Sequence, residues 1–102
     1  MQSLEFNKRV TLRQVRTGQG HFREDETVTE LTVWASVQEA SMSLKMNAAN
    51  IGMNADRVLH LWRHEFESGS FNRVAIGGTE YRIESVGASV NDQFVKIIAA
   101  RG

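Results

Sequence analysis

The chain has 102 residues, with 12 Lys and Arg balanced by 12 Asp and Glu, a formal net charge of zero, and neither cysteine nor proline. That length holds one domain around one modest core; the composition excludes a disulfide framework, a thiolate metal site and a cysteine nucleophile, and the balanced charge disfavours a domain that grips nucleic acid through its phosphates. Hydrophobic residues at 41% and charged residues at 24% are ordinary globular usage, Met1–Phe6 lacks the apolar core of a secretory signal, and no apolar run nears the roughly 18 residues of a membrane span, so an autonomous soluble fold is expected.

From Phe6 to Leu12 the apolar residues Phe6, Val10 and Leu12 fall on even positions, with Lys8 among them, which is the period of a strand. Residues 17–27 combine two glycines with a cluster of charges and are expected to form a flexible exposed loop. The next strand is expected over Leu31–Ala40. Leu31, Val33, Ala35 and Val37 share one face, and Thr32, Trp34, Ser36 and Gln38 share the other. Trp34 therefore points away from the simple core; either a helix or loop covers it, or it anchors a neighbouring subunit, a role in which tryptophan is enriched.

Between residues 40 and 54 the pattern changes. Met42, Met46, Ala49 and Met53 recur at helical spacing, Leu44, Ala48 and Ile51 stand beside them, and Ser41 is placed to cap the start. The reading is a short helix of two or three turns, weakened toward a loop by Gly52 and by Asn47, Asn50 and Asn54. Three of the four methionines lie in this insert. The segment either plugs one end of the fold or offers a surface that packs in more than one way, for which thioethers are well suited.

Arg57–Phe66 reads as a strand covered on both sides, with Leu59 and Leu61 on one face and Val58, Trp62 and Phe66 on the other. A turn follows at Glu67–Ser70, and the pair Gly77–Gly78 between Arg73–Ile76 and Thr79–Ile83 signals a tight hairpin. The apolar alternation slips from Tyr81 and Ile83 to Val86, Ala88 and Val90, which calls for a bulge near Glu84–Ser85. Asn91–Asp92 makes the next turn, and Phe94–Ala100 is a final strand. The expected architecture is mainly β: a small six-stranded antiparallel barrel or sandwich, with one short helix or flexible insert between strands 2 and 3.

Reactive constellations are not apparent. His60 and His64 have the spacing of a helical zinc pair, but four residues along a strand would separate them by about 13 Å. Ile76–Thr79 lacks the lysine and helix start of a phosphate loop, no serine stands in a nucleophile-elbow context, and Glu24–Glu26 reads as a solvated loop. No enzyme, metal or cofactor is expected.

Arg9–Leu12, the Val33–Val37 strand (Val-Trp-Ala-Ser-Val), the alanine-containing insert, Leu59–Arg63, and Arg73–Val74 through Gly78–Ile83 to Val86 together resemble the head-tail joining family of tailed bacteriophages, also called head-closure or stopper proteins. The likeness runs from about residue 8 to residue 100. It implies a structural virion protein, made in the bacterial cytoplasm and resident in the head-tail neck. Copies would form a ring below the portal and adaptor, help retain packaged double-stranded DNA with weak non-specific contact, and dock the tail, with no membrane partner. On that resemblance Trp34, Met42, Leu44, Met46, Ile51 and Met53 are the expected ring interface or gate, and Gly18, Gly20, His21 and Phe22 the loop that meets a neighbouring ring. Two other readings stay open: a small barrel that binds single-stranded nucleic acid through Trp62 with Arg63 and Tyr81 with Arg82, and a minor tail or tail-terminator protein.

Overall fold

The computed structural model describes residues 5–16, 26–89 and 91–101. Among the described residues, six strands and two helices follow in the order β1 (Lys8–Arg16), β2 (Glu26–Glu39), α1 (Met42–Asn50), β3 (Arg57–Trp62), α2 (Arg63–Phe66), β4 (Arg73–Ile76), β5 (Thr79–Ala88) and β6 (Phe94–Ala100). The strands close into a barrel in the order β1-β2-β3-β6-β5-β4, every neighbouring pair antiparallel. Of the two expected architectures, the barrel is the one adopted.

Strand alternation decides the interior. Val10 and Leu12, Val33 and Ala35, Leu59 and Leu61, Val74, Tyr81, and Val95, Ile97 and Ala99 form one buried cluster, with Leu31, Val37, Phe66, Phe71, Ile76 and Ile83 packed against it. Leu12, Leu59, Leu61 and Ile97 have no exposed surface at all. A second, smaller cluster lies on the outer wall, where Ala48 of α1 meets Val58 of β3 alongside Ala40 and Ala55, with Leu44, Met53 and Ile98 at its margin. Val58 and Ile98 are register partners on β3 and β6, so the second apolar face of these strands is the seat of the helix.

Several elements follow their local chemistry. Ser41 caps α1 by accepting a hydrogen bond from the Leu44 amide at 3.1 Å. Gly77 and Gly78 have φ of 57° and 84°, the left-handed pair a two-residue hairpin turn demands. The β5–β6 register slips between Ile83 and Ser85, the site where the apolar alternation required a bulge.

Other boundaries differ from expectation. The first strand begins at Lys8 and runs on to Arg16, leaving Phe6 outside it, and β2 begins at Glu26 rather than Leu31 because Arg13–Arg16 pairs with Glu26–Glu30. Of the loop expected at 17–27, residues 26 and 27 belong to β2 and the remainder lies outside the described residues. The expected strand at Arg57–Phe66 stops at Trp62 and turns into α2. That turn swings Phe66 from the face of Trp62 and Val58 to the barrel core, where its ring lies 6.2 Å from that of Phe71. Alternation could not foresee this, because one helical turn breaks the two-residue period.

Two of the seams that close the barrel are short. β2 pairs with β3 only over Ser36–Glu39, and β4 pairs with β5 only over Thr79–Arg82. Each of these seams, like the β1–β4 pairing, comprises four residue pairs. Beyond the last β1–β4 pair, Arg13 with Arg73, the Asn72 side chain stands in for a strand: its amide nitrogen donates to the Val15 carbonyl and its oxygen accepts from the Val15 amide, both at 2.8 Å.

Candidate functional site

The outer surface carries the features a partner would meet. Met42 is 73% exposed, Met46 62% and Ile51 72%, all on or at the end of α1, and Trp34 on β2 is 48% exposed. Leu44 and Ala48, one turn apart, take the inward face of the helix, so the methionines four apart at 42 and 46 are turned to water with Ala49. Leu44 and Met53 spend much of their surface on the barrel wall. The six expected interface residues thus divide into four that face solvent and two that seat the helix. Gly18, Gly20, His21 and Phe22 lie outside the described residues.

Trp34 is not buried under the helix, which sits over Val58 and Ile98 instead. Its register partner on β1 is Arg9, whose guanidinium carbon lies 5.1 Å from the ring centroid. A cation over an indole face stabilises by about 0.5–1 kcal/mol where exposed.

A second grouping surrounds Trp62. The Phe6 ring meets it edge-on at 6.0 Å, Phe94 lies at 4.5 Å and His64 at 6.0 Å. Adjacent Arg63 is committed, its Nε donating to the Asp92 carbonyl at 2.6 Å and its Nη1 lying 3.5 Å from Glu67. The other aromatic proposed to stack on bases, Tyr81, is 5% exposed and faces the lumen, with the Arg57 guanidinium 5.7 Å from its ring. A base cannot reach Tyr81 without opening the barrel.

Polar groups converge at one place on the outer wall. His60, 9% exposed, stands between Ser36, 4% exposed, on β2 and Lys96 on β6. Its Nδ1 is 2.6 Å from the Ser89 hydroxyl. Burial lowers the imidazole below its usual 6.5, and the Lys96 ammonium acts in the same direction. His64, expected on the same strand, is in α2, and no three His, Asp or Glu side chains among the described residues come together to hold a metal ion. Sequence reasoning missed the His60–Ser89 bond, since 29 residues separate its partners.

The opposite wall carries an ionic belt. Glu30, Arg13, Arg73 and Arg82 are consecutive register partners across β2, β1, β4 and β5. Arg13 reaches Glu30 and Glu80, each at 3.0 Å, Arg73 reaches Glu80 at 3.5 Å, and Arg82 donates to Glu84. Three arginines are thereby neutralised in place, so among the described residues these three do not form a free cationic stripe for phosphates.

No family model matches the chain, and no curated protein matches it. The fold and surface define a mainly β, closed six-stranded barrel bearing one outer helix with an apolar outward face.

Proposed function

We propose that this chain is a structural neck protein of a tailed bacteriophage, assembled as a ring below the portal and adaptor, where it helps retain packaged DNA and docks the tail. The observation that carries the reading is the placement of large apolar groups in water: Met42, Met46 and Ile51 on α1 and Trp34 on β2. Their burial would stabilise an assembly at roughly 25 cal/mol per Å², and adaptable methionines beside a tryptophan anchor are a composition suited to protein contacts. Neutral charge and the self-compensated arginine belt suit a conduit that DNA must leave readily, because free cations would hold phosphates. The same surface would serve a minor tail or tail-terminator protein, which differs in its neighbours. Single-stranded nucleic-acid binding is the weaker reading, with Tyr81 enclosed and Arg63 engaged.

The test is complementation in a phage that depends on this chain. Met42→Glu with Met46→Glu, both outward-facing, should leave a folded protein with an unchanged circular dichroism spectrum, yet give filled heads without tails or heads that lose their DNA. Normal infectious particles from that double variant would overturn the role.

A further inference from the structure

We propose that neighbouring copies join edge to edge, the free edge of β2 in one copy pairing with the free edge of β5 in the next, so that the sheet runs from barrel to barrel. This rests on the ring reading and names its contact. In an antiparallel ladder, successive residues send their backbone N–H and C=O alternately to one neighbour and to the other. The Ala99 carbonyl accepts from Asp56 and the Gln93 carbonyl from Arg63, so the odd positions of β6 bond toward β3 and the even ones toward β5. Lys96 and Ile98 are the register partners of Gly87 and Ser85. Val86 and Ala88 therefore direct their backbone groups away from β6, past the last β4 pair at Arg82.

The same count applies on the other side. Ala40 donates to the Asp56 carbonyl, so even positions of β2 bond toward β3, whose pairing with β2 ends at Ser36. Thr32 and Trp34 then direct their backbone groups to an edge that no strand occupies among the described residues. Each edge offers two residues spaced by two, the repeat with which antiparallel strands exchange paired bonds.

What fills these edges is indicated by their chemistry. Unpaired backbone groups in a row are satisfied by a strand, and exposed edges are ordinarily guarded by proline, lysine or inward charges. Here the chain has no proline, and neither Leu31–Ser36 nor Ser85–Ser89 contains a charged residue. The two edges also complement each other in side chains. Pairing Trp34 with Val86 and Thr32 with Ala88 puts the 48%-exposed indole and the 46%-exposed valine side by side on one face of the joined sheet, since directly opposed residues share a face. β2 and β5 stand three strands apart in the closed order. The contact is consequently head to tail, a geometry that closes into rings.

The absence of cysteine makes the test direct. In Thr32→Cys combined with Ala88→Cys, the two thiols lie on opposite sides of one barrel and on opposed residues of a joined edge, where Cα separations near 5.5 Å suit a disulfide. Mild oxidation of the concentrated full chain should give a ladder of covalent dimers and higher species, each single-cysteine variant stopping at symmetric dimers at most. Val86→Pro removes an edge N–H without touching the β5–β6 ladder and should weaken self-association at least tenfold by sedimentation, with the circular dichroism spectrum unchanged. Association that persists in Val86→Pro, with no ladder in the double-cysteine variant, would overturn the edge contact while leaving the ring reading intact. A strictly monomeric chain at millimolar concentration, with no ladder and normal particles from the Met42→Glu, Met46→Glu variant, would overturn both.

Discussion

The lumen of the barrel and the outward face of α1 are both apolar, but they are apolar for different reasons. Leu59 and Ile97 are wholly sealed and touch side chains from several strands, whereas Met42 and Met46 stand mostly in water one barrel wall away. The lumen secures the fold of a single chain. The methionine face contributes little to that fold, and it is apolar surface in excess of what the single chain needs.

Substitutions at the two regions should separate these roles. Leu59→Ala leaves a cavity at a position with no exposed surface, and about 3 kcal/mol of stability should be lost, read as a lower urea midpoint with the slope unchanged. Asn72→Ala removes both hydrogen bonds to Val15 and should cost about 1–2 kcal/mol, with faster hydrogen exchange at the Val15 amide marking the loosened end of β1. Ser41→Ala deletes the cap of α1; a loss of about 1 kcal/mol is expected, concentrated in the exchange of the Leu44 amide and absent from the barrel strands. Met46→Ala, at the far end of the scale, should change stability by less than about 0.5 kcal/mol and, on the proposed neck role, impair particle assembly. Equal destabilisation by Leu59→Ala and Met46→Ala would erase the distinction between the regions.

The His60 cluster sharpens the same comparison on the outer wall. Its folded pKa lies below the unfolded value of 6.5, so the unfolded chain binds the proton first as the solution is acidified. Stability from the neutral imidazole is complete above 6.5 and declines as pH falls from there through the lower folded pKa, below which the loss levels off. The slope should vanish in His60→Asn, measured by thermal unfolding between pH 7 and pH 5. An unchanged slope would place the acid sensitivity elsewhere.

The reach of sequence reasoning differs residue by residue. Ser41, the Gly77–Gly78 turn and the slip at Glu84 were legible because each depends on neighbours within a few positions. Alternation also sorted Leu59 and Leu61 from Val58 correctly. It failed at Phe66, which a single helical turn carried to the opposite face; at Val86 it gave the right face, beside Ile97, but not the half exposure, which follows from β4 having already ended. On α1 the spacing of the methionines was recognised, but Leu44 and Ala48, not Met42 and Met46, face the wall.

Composition and periodicity alone determined a cysteine-free, charge-balanced, mainly β chain of six strands with a capped helix after the second, because those properties are summed over residues close together in the chain. Tertiary structure alone decided that the strands close into a barrel, that Arg9 flanks Trp34, that Ser89 meets His60, and that β2 and β5 each run past their partners. These depend on the stagger between strands brought together from distant parts of the chain. Side-chain alternation specifies which face a residue takes, whereas stagger specifies which backbone groups are left without a neighbour.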